Sequence, residues 1–162
     1  MKSMKKGFGE TGEYFRAGVG AMILNRRGQI LVLRRAGLAV EAWQLPQGGL
    51  RRGEDPLDGL RRELHEEIGI FPEHFVVIDR CPDWMAYELS EQYRSEKVGR
   101  GQVQRWFLGE LAGDSVRTEP DGIEFDAYEW VEKEELLKRA VAFRLPIYRR
   151  LLEYFGKHLQ TA

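Results

Sequence analysis

The stretch that decides the fold is "GGLRRGEDPLDGLRRELHEEIGI", residues 48–70. Its second half predicts an α-helix, because Asp55 can cap the first turn and Pro56 suits the first helical position. Gly69 suits the left-handed residue that follows a last turn. Apolar side chains recur every three or four positions and form one stripe: Leu57, Leu60, Leu64 and Ile68. The stretch therefore predicts an amphipathic helix that packs on a core and follows a glycine-containing loop.

Three glutamates lie on one flank of this helix, beside the apolar stripe. Glu63 and Glu67 are four residues apart and nearly overlie each other, and Glu66 follows Glu63 by three. Like charges at these spacings repel by a few tenths of a kcal/mol per pair. A divalent cation would offset the repulsion, and carboxylate ligands favour Mg²⁺ or Mn²⁺ over Zn²⁺. Gly59 shares the flank and, lacking a side chain, is expected to let a ligand approach.

Two other interpretations of the same residues have to be weighed. A zinc site is disfavoured, because His65 points about 160° away from Glu67 around the helix axis and no second histidine follows at the zincin spacing. A solvated acidic face is the commonest explanation for a glutamate-rich helix. The glutamates alone do not exclude it, so the preceding loop has to decide.

The loop and the helix together match a known motif at all nine of its specified positions. From Gly48 there are five residues to Glu54 and seven more to Arg62, after which the chain reads "RELHEEIGI". This is similar to the Nudix box, Gly-x5-Glu-x7-Arg-Glu-U-x-Glu-Glu-x-Gly-U, with Leu64 and Ile70 as the aliphatic positions U. The chain thus resembles the Nudix hydrolases. That resemblance implies an α/β fold, an α/β/α sandwich with a mixed β-sheet between helices and a loop-helix-loop metal site.

The resemblance also implies roles for the motif residues. Arg62 would pair with Glu54 and hold the loop against the helix, and the backbone of Gly48 would approach the metal. The implied metal ligands are Glu63, Glu66, Glu67, Gly48 and Glu124, and the implied catalytic residues are Glu66, Glu67, Glu124, Arg62 and Glu54. The expected cofactor is Mg²⁺ or Mn²⁺, with more than one ion per site. Such ions neutralise phosphate charge and lower the pKa of bound water.

Outside the motif, most of residues 14–155 resembles one branch of the family, the bacterial RNA pyrophosphohydrolases and dinucleoside polyphosphate hydrolases. The resemblance rests on "YFRAGVGAMILN" (14–25), "WQLPQGG" (43–49), "GQVQRWF" (101–107), "EFDAYEWV" (124–131) and "VAFRLPIYRR" (141–150). It assigns Glu124 as a further metal ligand or base, and the alternative for Glu124 is an ordinary acidic surface. Ser90 departs from the branch pattern, and the charged stretch 90–101 is expected to form a lid.

The branch resemblance also suggests substrate contacts. Arg16 and Arg35 would meet the 5′-phosphates, and Phe143 would stack on a nucleobase. The full set of expected contacts is Arg16, Arg35, Gln47, Tyr87, Gln102, Gln104, Phe143 and Arg144. Ordinary surface arginines and a core phenylalanine are the alternatives.

Composition fits one globular domain. The 162 residues carry a net charge of −1, so no overall field attracts nucleic acid. The single Cys81 and the absence of an apolar N-terminal segment predict a cytoplasmic protein. Residues 1–15 are expected to form a flexible arm and residues 16–160 one Nudix domain, with neither DNA nor a membrane as partner.

The remaining patterns predict a sheet flanked by helices. Strands are expected at 17–24, 29–35, 43–49, 75–78, 84–89, 103–111 and 125–131, and an amphipathic helix at 146–159. The resemblance then implies removal of pyrophosphate from 5′-triphosphate RNA ends. Hydrolysis of dinucleoside polyphosphates such as diadenosine tetraphosphate is the first alternative, and pyrophosphohydrolysis of single nucleoside triphosphates the second. A catalytically silent nucleotide-binding module is a remote one, because every motif glutamate is present.

Overall fold

A computed structural model describes residues 14–113 and 118–159. Of the expected N-terminal arm, residues 1–13 lie outside the described residues, whereas Phe15 already begins the first strand. The strands are β1 (Phe15–Leu24), β2 (Ile30–Arg35), β3 (Trp43–Gln44), β4 (Gln47–Gly49), β5 (Phe75–Arg80), β6 (Met85–Glu88), β7 (Gly101–Leu111) and β8 (Phe125–Val131). The helices are α1 (Pro56–Ile68), α2 (Lys133–Arg139), α3 (Leu145–Tyr154) and α4 (Gly156–Leu159). In the described part of the chain, no helix has the length and apolar character needed to cross a membrane.

The strands form one mixed sheet with β1 near its centre. β1 runs parallel to β7 along its whole length, from Phe15 opposite Gly101 to Leu24 opposite Glu110. Its other edge pairs antiparallel with β4 and, at the hairpin end, with β2. β2 in turn pairs with β3 and β8, and β7 pairs with β5 and β6. This order brings β4 and the start of β1 to one end of the sheet, beside β6 and β7.

Apolar side chains alternate along the strands and form a core on each face of the sheet. Val19, Ala21 and Ile23 of β1 face the apolar stripe of α1. Met22 and Leu24 face the other way, toward α2 and α3. Helices thus cover both faces, and the predicted α/β/α sandwich is confirmed.

Three elements differ from the sequence expectation. The strand expected at 43–49 is two short strands, since Leu45 and Pro46 turn the chain between β3 and β4. Tyr148 of α3 supports this turn, because its hydroxyl accepts a hydrogen bond from the Leu45 backbone N–H at 2.9 Å. The C-terminal helix expected at 146–159 is interrupted at Phe155, which separates α3 from α4. Helix α2 was not predicted, because its seven residues contain only two large apolar side chains.

Candidate active site

Helix α1 begins and ends as its sequence predicts. The Asp55 carboxylate accepts hydrogen bonds from the backbone N–H groups of Leu57 and Asp58, at 3.1 and 3.3 Å. Gly69 adopts φ 70°, and its N–H donates to the carbonyl of His65. Both ends of the helix are therefore capped, and the glutamates between them have defined positions.

Arg62 is the centre of an ion-pair network that joins the helix to its preceding loop. Its Nε and Nη2 each donate to one oxygen of the Glu54 carboxylate, both at 2.9 Å. Nη2 also donates to the carbonyl of Gly49 at 2.9 Å, and Nη1 to Glu63 at 2.8 Å. Hydrogen bonding from Arg62 lowers the pKa of Glu54 to about 2. The bidentate geometry is the strong form of this pair, and it is the contact the sequence predicted.

Two glycines leave room for these side chains. A Cβ at Gly48 would lie 2.2 Å from Cδ of Glu63, so β4 can approach the helix only through a glycine. A Cβ at Gly59 would lie 2.4 Å from Leu50 and 3.0 Å from Oε1 of Glu54. The expectation that Gly59 gives access to a ligand was therefore wrong, because the protein's own loop fills that space.

Glu67 lies between two other carboxylates. It is only 8% exposed, and its side chain interacts with those of Glu63 and Glu124. Burial and then these two neighbours raise the pKa of Glu67 far above its usual range. Within residues 14–113 and 118–159 no Arg, Lys or His pairs with Glu67. Glu67 is therefore a buried carboxylate that lacks a cationic partner among these residues and lies beside two further carboxylates. Carboxylate oxygens are the ligands that hard divalent cations prefer, and a bound cation would neutralise Glu67.

Glu66 does not join this cluster. Its side chain is 48% exposed and turns toward Arg62 at 3.3 Å and Arg51 at 3.7 Å. Over the described residues, no three His, Cys, Asp or Glu side chains are arranged so that they could hold a metal ion without moving. Glu66 would have to leave its arginine partners to reach a cation held by Glu63 and Glu67. The residues nevertheless fit a divalent cation, because in the described part of the chain no Lys, Arg or His side chain is paired with Glu67.

Glu124 comes from the segment that precedes β8, more than fifty residues beyond α1 in the sequence. Its carboxylate accepts a hydrogen bond from Nη1 of Arg35 at 3.1 Å. Its backbone N–H donates to Asp121, at 2.9 Å, and the N–H of Asp121 donates to the carbonyl of Glu67. Sequence reasoning missed Asp121. The available signal was the "DG" turn three residues before Glu124.

The other side of β4 carries a polar pocket. Consecutive strand residues point to opposite faces, so Gln47 points away from α1 while Gly48 faces it. Nε2 of Gln104 is 3.0 Å from the side-chain oxygens of both Gln47 and Gln102, and Oε1 of Gln104 accepts from Nε1 of Trp106 at 3.2 Å. The three predicted glutamines therefore form one hydrogen-bonded group.

Aromatic rings and an arginine complete this pocket. The rings of Tyr87 and Phe143 are 5.1 Å apart between centroids. The guanidinium carbon of Arg144 lies 4.9 Å from the centroid of Phe143 and 5.4 Å from that of Tyr87. Nη1 of Arg144 also donates to the side-chain oxygen of Gln47. The structure thus gathers six of the predicted substrate residues beside β4.

The two arginines expected to meet phosphate lie in different places. Arg16 is opposite Gln102 in the sheet, and its Nη2 is 3.0 Å from where a Cβ of Gly49 would be. Arg35 is instead paired with Glu124. Arg16 therefore lies between the pocket and Gly49, and Arg35 lies beside the carboxylate cluster.

The stretch expected to form a lid, residues 90–101, connects β6 to β7 at the edge of the pocket. Glu88 anchors it by accepting hydrogen bonds from Arg94, at 2.9 Å, and from Arg100. A short 3₁₀ turn, Glu91–Tyr93, follows Ser90. That this connection covers a substrate stays a prediction.

Comparison with known proteins agrees with this geometry. The protein-family model described as the NUDIX domain matches residues 14–151 of this chain. The chain belongs to the Nudix family. The nine-position motif is therefore the Nudix motif, and the predicted family membership is confirmed.

Curated relatives include an RNA pyrophosphohydrolase of Zymomonas mobilis, 37% identical over 150 residues that cover 90% of this chain and 97% of the relative. Another, of Thioalkalivibrio sulfidiphilus, is 39% identical over 144 residues, 85% and 82% of the two chains. Among solved structures, a MutT protein from Methanosarcina mazei aligns with a TM-score of 0.66 at 24% identity, over 92% of this chain and 98% of the other. A C. elegans Ap4A hydrolase aligns with a TM-score of 0.67 at 21% identity, over 88% and 98%. The two structures share the Nudix fold with this chain.

Proposed function

We propose that this Nudix protein is a divalent-metal-dependent pyrophosphohydrolase that converts 5′-triphosphate RNA ends into 5′-monophosphate ends. One observation carries the proposal. Strand β4 places a carboxylate cluster on one side and a pocket of glutamines, aromatic rings and Arg144 on the other, through the neighbouring residues Gln47 and Gly48. A nucleotide held in the pocket would extend its phosphates past Arg16 toward the carboxylates.

The names of the curated relatives support this substrate. RNA pyrophosphohydrolases align at 37–39% identity over 85–90% of the chain. The pocket residues fit a nucleotide, since aromatic side chains stack on bases with about 1–3 kcal/mol per base. Arg144 adds a positive charge over the faces of the same two rings.

Glu63, Glu67 and Glu124 would hold Mg²⁺ or Mn²⁺, and Glu66 would join them after leaving Arg62. Bound divalent cations supply neutralisation of phosphate charge and a lowered pKa of the attacking water. We expect more than one ion, because four carboxylates carry more negative charge than one divalent cation neutralises.

The protein's own residues would do the rest. In the reaction, the oxygen of water bonds to phosphorus, one bridging P–O bond breaks and pyrophosphate leaves, so the RNA keeps one phosphate. Glu124 is accessible at the edge of the cluster, and it would either bind a cation or accept the proton of that water. Arg16 would orient the phosphates, and the Arg62–Glu54 pair would keep Gly48 and Glu63 in register.

Hydrolysis of dinucleoside polyphosphates is the second candidate. Tyr87 and Phe143, whose rings are in contact, would recognise a base by its ring face. Every nucleotide offers such a face, so these rings do not select RNA over a dinucleotide. Single nucleoside triphosphates would bind by the same contacts. A cytoplasmic location is proposed along with the RNA substrate.

A parallel assay separates these candidates. Purified protein is given 5′-triphosphate RNA, diadenosine tetraphosphate and ATP at equal Mg²⁺, and products are resolved by chromatography. We expect pyrophosphate and monophosphate RNA, with the highest kcat/KM for RNA. A kcat/KM at least a hundredfold higher for the dinucleotide would overturn the RNA assignment.

The pocket is tested separately with Phe143→Leu, which keeps an apolar side chain but removes the ring. KM for RNA should rise about tenfold through lost stacking, with kcat changed less. Phe71→Leu, at an exposed phenylalanine next to the C-terminal end of α1, serves as the control and should leave KM unchanged.

A further inference from the structure

The segment that precedes β8, residues 118–124, is docked on the C-terminal end of α1. The backbone N–H of Glu119 donates to the carbonyl of Ile68 at 2.8 Å, and that of Asp121 donates to the carbonyl of Glu67 at 2.9 Å. The last carbonyl groups of a helix have no partner within the helix. This segment supplies partners for two of them, one belonging to the buried glutamate itself.

The side chain of Asp121 organises the same segment. One oxygen, Oδ1, accepts hydrogen bonds from three successive backbone N–H groups: Ile123 at 3.0 Å, Glu124 at 2.9 Å and Phe125 at 3.1 Å. These bonds tighten the turn that leads into β8 and fix the backbone from which the Glu124 side chain projects.

Asp121 therefore joins Glu67 to Glu124 through two hydrogen bonds. Its N–H binds the carbonyl of Glu67, and its carboxylate binds the N–H of Glu124. We infer that Asp121 is a positioning residue, which sets the place of the Glu124 carboxylate relative to Glu67 and thereby the cation affinity of the cluster. The inference rests on the role of Glu124 in the proposed function. It is independent of which phosphorylated substrate is used.

To test the role of Asp121, Mn²⁺ binding is measured by calorimetry and by water-proton relaxation, with no substrate present. Asp121→Ala removes the acceptor and should raise the Kd for Mn²⁺ about tenfold. Asp121→Asn keeps an acceptor oxygen and should bind Mn²⁺ within about twofold of the wild type.

Asn25, which follows the last residue of β1, offers a control of the same kind. Its Oδ1 accepts from the N–H groups of Arg27 and Gln29, both at 2.9 Å, in the β1–β2 turn. Asn25→Ala should lower the free energy of unfolding about as much as Asp121→Ala, with an unchanged Kd for Mn²⁺. An equal loss of Mn²⁺ affinity in both variants would mean that general destabilisation is the cause and would overturn the inference.

A double-mutant cycle with Glu124→Gln tests the route of the effect. If Asp121 acts through Glu124, adding Asp121→Ala to the Glu124→Gln variant should change the Kd for Mn²⁺ less than twofold further. A full additional tenfold loss would overturn the inference and leave the ligand role of Glu124 intact. Wild-type Mn²⁺ affinity in Glu124→Gln alone would instead remove that ligand role and the inference together.

Discussion

Helix α1 and the loop before it carry glutamates in two settings, in which the negative charge is neutralised differently. Glu54 and Glu63 bind Arg62, with hydrogen bonds of 2.8–2.9 Å on a side chain that is only 18% exposed. Glu67, one turn further along, is buried against Glu63 and Glu124 with no cationic side chain paired to it in the described residues. Arg62 neutralises the first group within the protein, whereas the charge of Glu67 is left to a proton or, as we propose, to a bound cation.

We propose that the difference separates a pair that serves the fold, Glu54 with Arg62, from a carboxylate that serves the chemistry, Glu67, while Glu63 contacts both. A paired, hydrogen-bonded charge supports the structure, and removing one partner leaves the other buried and costs stability. An unpaired buried carboxylate costs stability as it stands, so relieving it should stabilise the fold. Substitutions in the two groups are therefore expected to move stability in opposite directions.

The largest expected effect is that of Glu67→Gln. It keeps the shape but removes the central charge, and kcat should fall about a thousandfold, which corresponds to about 4 kcal/mol. Because burial of the Glu67 carboxyl raises its pKa and thereby costs stability, its replacement by a neutral amide should raise the free energy of unfolding in metal-free buffer. Steady-state kinetics and urea unfolding measure both quantities. Glu110→Gln, at an exposed glutamate of β7, is the control, and wild-type turnover in Glu67→Gln would contradict the metal assignment.

Gly48→Ala comes next. The new Cβ would lie within 2.5 Å of the Glu63 carboxylate and displace it. A misplacement of about 1 Å in a site can cost about a hundredfold in rate, so kcat should fall by that factor. Gly156→Ala, where nothing lies within 4 Å of the added Cβ, should keep full activity. Equal kcat for Gly48→Ala and wild type would show that the position of Glu63 is unimportant.

Arg62→Lys tests the first group, in which Arg62 neutralises Glu54 and Glu63. Lysine keeps the charge but loses the bidentate geometry, so the free energy of unfolding should fall by about 2 kcal/mol. Arg34→Lys is the matched control: Arg34 pairs with Asp126 at 2.7 Å on the surface, where solvent screens the pair and the loss of stability should be small. If urea unfolding gave the same small loss for both, the Arg62 network would not differ from a surface pair.

The smallest effect is a pH dependence. Arg62 lowers the pKa of Glu54 to about 2, from an ordinary value of 4.5. The contribution of Glu54 to stability is therefore fully present above pH 4.5. It is lost as the pH falls from 4.5 toward 2, at less than about 1.4 kcal/mol per pH unit. The difference in unfolding free energy between wild type and Glu54→Gln should therefore be constant above pH 5 and shrink below it. A difference that grew in acid would reverse this assignment.

The sequence predicted the local parts of this site well. Gly48, Glu54 and Arg62 lie within fifteen residues of one another, so that their spacing alone carries the resemblance to the Nudix motif, and that resemblance implied how they meet. Asp55 and Gly69 cap the helix for the same local reason. The predicted sandwich also followed, because strand alternation is a local signal.

The parts that depend on tertiary docking could not be predicted from residues alone. The turn at Asp121 is readable, but its hydrogen bond to the carbonyl of Glu67 depends on where the segment docks. The turn of Glu66 toward Arg51 depends on the loop conformation rather than on helix period. Helix α2, Lys133–Arg139, lacks a periodic apolar stripe and forms because Leu136 is buried on the sheet.

The opposite orientation of Gln47 and Gly48 has a consequence for how this protein can be altered. In the proposed function, bond cleavage belongs to residues on the α1 side of β4, and recognition to β6, β7 and Phe143–Arg144 on the other side. Replacing Tyr87, Gln102 or Phe143 changes no side chain that touches the carboxylates. An engineer could therefore exchange the nucleotide preference of this scaffold while keeping its chemistry, since the two are divided by a single three-residue strand.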